Sequence, residues 1–420
     1  MMQKHYWIPA LIVLALTACE RNPSSFQCFS PGGQLSVKVF ERDTRIAYQV
    51  SFNEEVIIDT SFVGFEFLDA PALGRDLIVT NRVESSFSET WKMPWGEQLL
   101  VENEYQELLL ELQEMSEPKR LVNLVFRVYD DGVGFRFEFP EQVGWSEATI
   151  TGESTEFQLT ADHQVWWIPG DWDIYEHLYR TTKVSEINAI QYRDHPNLAA
   201  SHIPYNAVNT PVTMKTASGK YLSFHEADLT NYSGMTLRVD TATLKLTSEL
   251  VGAKEGHKVK ATLPFVTPWR TIQVAERAGD LIESNLIVNL NEPADSLLDI
   301  SWFEPTKYIG IWWEMHLDKS TWQYEGGRHG ATTENARRYI DFAAKNNIGA
   351  LLIEGWNTGW ERWIGFPDRE GVFDFVTPYP DYDIEEVVNY GREQGVALIM
   401  HHETSAAPRT YDQQLDTAYR

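Results

Sequence analysis

Val-Ala-Leu-Ile-Met-His-His-Glu-Thr occupies residues 396–404. The apolar run 397–400 is typical of a buried strand in a parallel sheet, and it leads directly into His401, His402 and Glu403. In barrels, the carboxyl ends of such strands carry the chemistry. The cluster therefore predicts a functional site, although side chains that only cap a strand by hydrogen bonding would look the same.

The residues before this stretch alternate between strand and helix. Apolar strands are predicted at 308–313 and 350–357, and helices begin at 332–334 and at 382–388. A third helix begins within residues 411–420. This alternation is typical of a parallel sheet or of a (β/α)₈ barrel.

The number of residues after residue 300 helps to distinguish a small parallel sheet from a (β/α)₈ barrel. A (β/α)₈ barrel needs about 250 residues, and fewer than half that number are found at 301–420. We expect this segment to be the first part of a barrel in a longer protein. The alternative, a small complete α/β domain, would leave exposed sheet edges.

Polar residues follow each of the three predicted strands. Because parallel strands end at the same edge, these residues are expected to face one site. Two carboxylates there could act as acid and base on a glycosidic bond, whereas a single glutamate could equally be a structural ion-pair partner. The candidate residues, in strand order, are Glu314 with His316, then Glu354 with Trp356 and Asn357, then His401, His402 and Glu403.

Residues 26–299 carry short strand patterns separated by turn residues. Residues 34–40 alternate cleanly, and Asp130-Asp131-Gly132 predicts a hairpin turn between strands at 121–129 and 133–139. Repeated short strands predict a large β-sandwich. Further strands are predicted at 45–51, 54–58, 214–217, 221–225, 234–239, 243–247 and 271–274.

One loop of this region is rich in aromatic and acidic residues. Trp166-Trp167-Ile168-Pro169-Gly170 leads into Tyr175-Glu176-His177-Leu178-Tyr179. The loop is either a packed aromatic corner or a contributor to the site.

Charge and missing motifs exclude several classes of function. The formal net charge of −26 makes nucleic acid an unfavourable partner, while clustered carboxylates suit calcium. Gly-rich phosphate loops, Cys-x-x-Cys pairs and the Gly-x-Ser-x-Gly nucleophile elbow are all missing. His401 and His402 point to opposite sides of a strand, so a shared zinc site is not expected. The 15 tryptophans fit sugar stacking or a large core equally well.

The amino terminus has the pattern of an export signal. An apolar stretch at 7–16 is too short to span a bilayer and is followed by Leu16-Thr17-Ala18-Cys19, which resembles a lipoprotein cleavage box. We expect residues 1–18 to be removed and Cys19 to anchor the protein by lipid in the periplasm or outer membrane; an ordinary secretory signal is the alternative. Only Cys28 then remains, so no internal disulfide is expected.

Several of these segments together resemble glycoside hydrolase family 97. The resemblance rests on YIGIWWEMH at 308–316, GATTENA at 330–336, EGWNTGWE at 354–361, HHET at 401–404, YDDG at 129–132 and Tyr175-Glu176-x-x-Tyr179. It implies an N-terminal β-super-sandwich at 19–300 and an incomplete catalytic (β/α)₈ barrel at 301–420. The family also has a small C-terminal β domain.

The resemblance also implies a chemistry. Members are exo-acting, and are either inverting α-glucosidases or retaining α-galactosidases that use an aspartate on the next strand. We expect an inverting, calcium-dependent α-glucosidase for starch-like oligosaccharides, with Glu403 as general base. Glu176 would bind calcium, with Glu186 as second choice. Side chains near the sugar would be His401, Trp313, Glu354, Trp356 and Asn357.

Two alternatives remain open at this point. One is a retaining α-galactosidase of the same family, and the other is a non-catalytic sugar-binding lipoprotein. The resemblance places the general acid and the other calcium ligands after Arg420. Residues 1–420 alone are therefore expected to be inactive on a nitrophenyl α-glucoside.

Overall fold

A computed structural model describes residues 25–172, 174–192, 203–294, 297, 299–363, 370–405 and 407–420 of the chain. The predicted signal peptide and Cys19 lie outside these residues. Within the described ranges, no helix has the length and apolar character needed to cross a bilayer.

The first part of the chain is built almost entirely of strands. Its early strands are β1 Ser25–Phe29, β2 Leu35–Arg42, β3 Arg45–Phe52, β4 Glu55–Phe62, β5 Phe65–Phe67, β6 Leu77–Lys92, β7 Leu100–Glu114, β8 Leu121–Val128, β9 Gly132–Phe139, β10 Glu147–Glu153, β11 Glu156–Leu159 and β12 Gln164–Trp167. Its later strands are β13 Arg180–Lys183, β14 Ala207–Asn209, β15 Val212–Lys215, β16 Tyr221–Ala227, β17 Met235–Asp240, β18 Lys245–Leu250, β19 Val259–Thr262, β20 Phe265–Val266 and β21 Trp269–Ala275. Short 3₁₀ turns lie at Val184–Glu186 and Ala189–Tyr192, and short helices at α1 Ala278–Glu283 and α2 Leu286–Asn289.

Two large antiparallel sheets face each other. One has the order β1-β2-β3-β4-β11-β18-β17-β14, and the other β13-β12-β15-β16-β21-β9-β8-β7-β6, with β20 paired to β9. Their inner faces meet through aromatic contacts such as Tyr48 against Phe135, with ring centroids 5.0 Å apart, and Phe157 against Phe224, at 5.3 Å. The predicted sandwich is confirmed, and a third sheet, β19-β10-β5, adds to it.

The predicted hairpin at Asp130-Asp131-Gly132 is also confirmed. β8 pairs with β9 from Val128↔Val133 to Asn123↔Glu138. Burial of Phe126, Phe135 and Phe137 stabilises the hairpin, because each ring removes a large apolar area from water.

The second part of the chain alternates between strand and helix. Its elements are β22 Tyr308–Ile311, α3 Trp313–His316, α4 Thr333–Lys345, β23 Ala350–Ile353, a 3₁₀ turn at Trp360–Arg362, α5 Ile384–Gln394, β24 Ala397–Met400 and α6 Pro408–Ala418. The three strands form one parallel sheet, in the order β22-β23-β24. The predicted βαβ alternation is therefore present.

The helix boundaries follow the local sequence. The Thr332 side chain accepts a hydrogen bond from the Asn335 amide at the start of α4, and Asp383 caps α5 in the same way. Gly395, at φ +71°, ends α5 in the left-handed conformation that glycine tolerates. Ala336, Ile340 and Ala343 of α4 are buried against the sheet, whereas the adjacent Ala344 is exposed.

Two predictions about the strands were wrong. Trp312 and Trp313 do not extend β22, because the chain turns into α3 at that point. β24 is not a buried strand: Ala397 and Met400 are exposed, and the strand lies at the edge of the described sheet. An apolar run cannot by itself show whether a neighbouring strand covers it.

Candidate active site

The carboxyl ends of the three parallel strands lie side by side. Ile311 pairs with Ile353, and Ile353 with Met400. The residues that follow directly, including Glu354 after β23 and His401 after β24, therefore lie along one edge. This is the juxtaposition that the sequence predicted for these polar residues.

A tight bend fixes Glu354 at this edge. Gly355 has φ +86°, and a Cβ atom there would lie 3.1 Å from the Trp322 carbonyl oxygen, so only glycine fits. The Gly355 carbonyl accepts a hydrogen bond from Nε2 of His329, whose Nδ1 lies 2.9 Å from Asp381. This contact between His329 and Asp381 was not predicted, because the two residues are far apart along the chain.

Glu354 lies in an unusual electrostatic environment. Its side chain is only 8% exposed, and this burial raises its pKa to about 7. The negative charges of Glu403 and Glu176 contribute to this same rise. A carboxyl group that keeps its proton up to neutral pH beside other acids is typical of a functional site.

Glu176 reaches this cluster from the β-sandwich. It is exposed, on the loop after β12, and its charge acts on Glu354 of the parallel sheet. Asp171 anchors the loop: its carboxylate accepts from the Ile174 amide and contacts His177 Nε2 at 3.0 Å. Asp171 was not predicted from sequence. Glu186, the second choice for calcium, instead accepts a hydrogen bond from the Lys183 amide in a local turn.

The two histidines after β24 lie in different surroundings. Burial, and then the neighbouring His402, lowers the pKa of His401 to about 4, so its imidazole is neutral at physiological pH. Its Nδ1 is buried and has no hydrogen-bond partner among the described residues. The His402 ring packs against Phe375 and its Nδ1 lies 3.2 Å from the Tyr411 hydroxyl.

Glu403 is half-buried just beyond these histidines. One carboxylate oxygen accepts a hydrogen bond from the Ser405 amide at 2.5 Å, which orients the side chain. Its charge also acts on Glu354, so the carboxyl groups that follow neighbouring strands interact. Such a pair is the basic requirement for acid–base chemistry on a glycosidic bond.

The other predicted site residues differ in accessibility. The Trp356 indole donates to the His401 carbonyl at 2.9 Å, tying two strand ends together. Asn357 is fully buried, with its amide bonded to Asp374 and to the Trp360 indole. Trp313 is 55% exposed and stands next to His316.

Glu314 does not belong to the acidic cluster, which consists of Glu176, Glu354 and Glu403. It accepts a hydrogen bond from the Asn335 side chain at 2.6 Å, and Arg338 lies 3.8 Å away. Both partners belong to α4, so Glu314 ties the first strand end to this helix. Glu314 therefore has the contacts of a structural ion-pair partner, which is the role that the sequence left open for a single glutamate.

A calcium ion suits the chemistry of the cluster, although the described ligand set is incomplete. Carboxylate oxygens are the ligands that calcium prefers, and a cation would relieve the repulsion between Glu176, Glu354 and Glu403. Across the ranges that the structure describes, however, no three acidic, histidine or cysteine side chains are grouped closely enough to hold one ion. A calcium site here would therefore need further ligands.

Glu354 is expected to make stability depend on pH. The folded state holds its proton up to about pH 7, above the unfolded value of about 4.3, so stability falls as pH rises through this window. In a calcium-free buffer, Glu354→Gln should raise the free energy of unfolding by up to about 3 kcal/mol at pH 8 and change it little at pH 4.5. Urea denaturation at both pH values measures this. Glu325→Gln is the control, because Glu325 is exposed. If the free energy of unfolding changed with pH in parallel for wild type and Glu354→Gln, the raised pKa of Glu354 would be contradicted.

Two family models match this chain, one in each of its two parts. The family model described as Glycosyl-hydrolase 97 N-terminal matches residues 28–293, and the model described as Glycoside hydrolase 97 matches residues 312–420. The chain is also 22% identical to a protein named retaining alpha-galactosidase from Bacteroides thetaiotaomicron, over 93% of this chain and 57% of that protein.

Solved structures show a closer similarity. A glycoside hydrolase family 97 enzyme from Pseudoalteromonas sp. strain K8, in complex with acarbose, is 36% identical, with a TM-score of 0.82. Its complex with panose gives a TM-score of 0.83. Each match covers 94% of this chain and 56% of the solved chain, so the present chain spans just over half the length of these relatives. The chain belongs to glycoside hydrolase family 97.

Proposed function

We propose that this chain supplies the β-super-sandwich and the first part of the (β/α)₈ barrel of an inverting, calcium-dependent α-glucosidase. The observation that carries the proposal is the interaction of Glu403, Glu354 and Glu176, two of which follow adjacent parallel strands. A site of this kind at the carboxyl ends of barrel strands fits the usual location of barrel active sites.

Glu403 acts as the general base in this proposal. Its carboxylate takes a proton from water as the water attacks the anomeric carbon of a terminal glucose. The Ser405 amide holds the carboxylate in place, and the neutral His401 imidazole offers its unpartnered Nδ1 to the sugar. The group that protonates the leaving oxygen is expected outside residues 1–420.

Glu176 contributes to calcium binding in the same proposal. Bound calcium would neutralise part of the acidic cluster and attract the oxygen atoms of the sugar. The Asp171–His177 contact holds the loop in a position from which the Glu176 charge reaches Glu354. Removing calcium with EGTA should abolish most activity, and calcium should restore it better than magnesium; equal activity without calcium would contradict this role.

Glucosides are favoured over galactosides as substrates. The more similar relatives were solved with acarbose and panose, and panose is an oligosaccharide of α-linked glucose. The second candidate is a retaining α-galactosidase, favoured by the names of relatives that are 22% and 24% identical. The test is kcat/KM of the intact protein on nitrophenyl α-glucoside and α-galactoside. A preference for the galactoside would reverse the assignment.

The proposed location is the periplasm or the outer membrane, through a lipid on Cys19. The support is the sequence Leu16-Thr17-Ala18-Cys19 after a short apolar stretch. Radioactive palmitate should label the wild-type protein in cells but not a Cys19→Ala variant. Equal labelling of both proteins would contradict a lipid on this cysteine.

A further inference from the structure

His329 is a buried histidine whose two ring nitrogens both face oxygen atoms. It lies in the loop between α3 and α4, and its side chain is only 2% exposed. Nδ1 lies 2.9 Å from each carboxylate oxygen of Asp381, and Nε2 lies 2.9 Å from the Gly355 carbonyl oxygen. Tyr379 packs edge-on against the ring, with centroids 5.0 Å apart, which holds the ring in this orientation.

These contacts require a proton on each ring nitrogen. A carbonyl oxygen and an ionised carboxylate can only accept hydrogen bonds. A neutral imidazole carries one N–H, so its other nitrogen would direct a lone pair at an oxygen atom 2.9 Å away. Turning the ring over would put carbon atoms in place of both nitrogens and lose both hydrogen bonds. The Asp381 side chain is 31% exposed, so water can solvate its ionised form, which then pairs with an imidazolium.

The surroundings of His329 are compatible with a positive charge. The titratable side chains that face the ring come from its own loop and from the loop before α5, and they are Tyr324, Tyr379 and Asp381. Tyr379 stays neutral, because burial raises the pKa of its hydroxyl, so Asp381 is the charged group among them. The adjacent cation, Arg328, is exposed and directs its guanidinium to Asp318.

The two hydrogen bonds connect a flexible point of the site to a fixed one. Gly355, at φ +86°, forms the bend directly after Glu354, and its carbonyl is the acceptor for Nε2. Asp381, the acceptor for Nδ1, is fixed in turn, since its backbone carbonyl accepts a hydrogen bond from the Thr333 amide at the start of α4. The bend is therefore tied through His329 to the helical layer.

We propose that His329 is a positioning residue that works as an imidazolium: its two N–H groups tie the Gly355 carbonyl to Asp381 and so hold the Glu354 carboxyl group at the site. This inference rests on the proposed function and deepens it, because it explains what keeps one member of the acidic cluster in place. Loss of either proton turns one hydrogen bond into a repulsion between lone pairs and releases the bend.

Neutron diffraction from crystals of the intact protein tests the charge state without any measurement of activity. After exchange into heavy water at neutral pD, both ring nitrogens of His329 should carry a deuteron. In Asp381→Asn the new amide can donate to Nδ1, so only Nε2 should carry one. His225 is the internal control: its Nδ1 contacts the Thr210 hydroxyl and burial lowers its pKa, so it should carry a single deuteron. A single deuteron on wild-type His329 would overturn the inference.

A double-mutant cycle tests the positioning role. His329→Phe keeps the packing against Tyr379 and removes both N–H groups, and Glu354→Ala removes the group to be positioned. On nitrophenyl α-glucoside, His329→Phe should lower kcat/KM of the intact protein by roughly 10- to 100-fold. In the Glu354→Ala background the same change should cost less than about threefold, because residues that act through one another are not additive. His257→Phe, in a turn before β19, is the control and should leave kcat/KM unchanged in both backgrounds.

The outcomes separate this inference from the proposed function. An equal loss from His329→Phe in both backgrounds would overturn the positioning role, because the histidine would then act on the fold and not through Glu354. No hydrolysis of the glucoside by wild type would instead overturn the proposed function, and the neutron result would still decide whether His329 is an imidazolium.

Discussion

Replacing Glu403 by glutamine is expected to lower kcat of the intact protein on α-glucosides by about 10²- to 10⁴-fold. Glutamine keeps the shape of the side chain and can still accept the Ser405 hydrogen bond, but it cannot take a proton from water. The loss should appear mainly in kcat, because the carboxylate acts on the attacking water in the transition state.

Glu314→Gln is the matched control for this experiment. Glu314 also follows a strand of the parallel sheet, but its contacts are with Asn335 and Arg338 of α4. Glutamine can still accept the Asn335 bond, so activity should stay within a few-fold of wild type. A Glu403→Gln enzyme with near-normal kcat would contradict the general-base role. Sugar binding without any hydrolysis by wild type would favour the non-catalytic sugar-binding alternative.

Arg270→Met is expected to lower the free energy of unfolding by about 3–5 kcal/mol, which is more than any other single substitution considered. Arg270 is 1% exposed and makes two hydrogen bonds to Glu153, at 2.8 and 2.6 Å, and one to Glu226, at 2.6 Å. These contacts join β21 to β10 of the small sheet and to the adjacent β16. Methionine fills similar space but leaves two buried carboxylates without their cation.

Urea denaturation of the wild type and the variant would measure this loss. Arg277→Met is the control, because Arg277 is exposed and its ion pair with Asp280 lies at the surface, where such pairs contribute about 0–1 kcal/mol. Adding Glu153→Gln and Glu226→Gln to Arg270→Met should recover much of the stability by removing the unpaired charges. A loss no larger than that of Arg277→Met would show that these buried contacts are not important.

Local patterns predicted the elements whose two faces differ. β2 and β3 alternate because one face packs in the sandwich core, and α4 and α5 begin at the capping residues Thr332 and Asp383. The long β6–β7 hairpin was missed for a physical reason. Most of β6 is exposed on both faces, so burial imposes no apolar alternation on it. The Glu- and Leu-rich β7 has a single β-branched residue, Val101, although such residues favour strands.

The candidate site, too, could be predicted from the sequence only in part. The strand ends that carry Glu354 and Glu403 could be predicted because parallel strands end at one edge. Trp322 and Asp171 could not, since contacts between distant segments place them: Trp322 through packing on Gly355, and Asp171 through its hold on the loop of Glu176. Nor could periodicity show that Glu314 is directed to α4 instead of to the cluster.

The stereochemistry of the first product tests the central proposal most directly. If Glu403 activates water on the face opposite the leaving group, hydrolysis of an α-glucoside must release β-glucose first. Proton NMR, recorded during the first minutes of hydrolysis by the intact protein, distinguishes the two anomers before they interconvert. Initial β-glucose is the predicted result, and initial α-glucose would contradict the inverting mechanism.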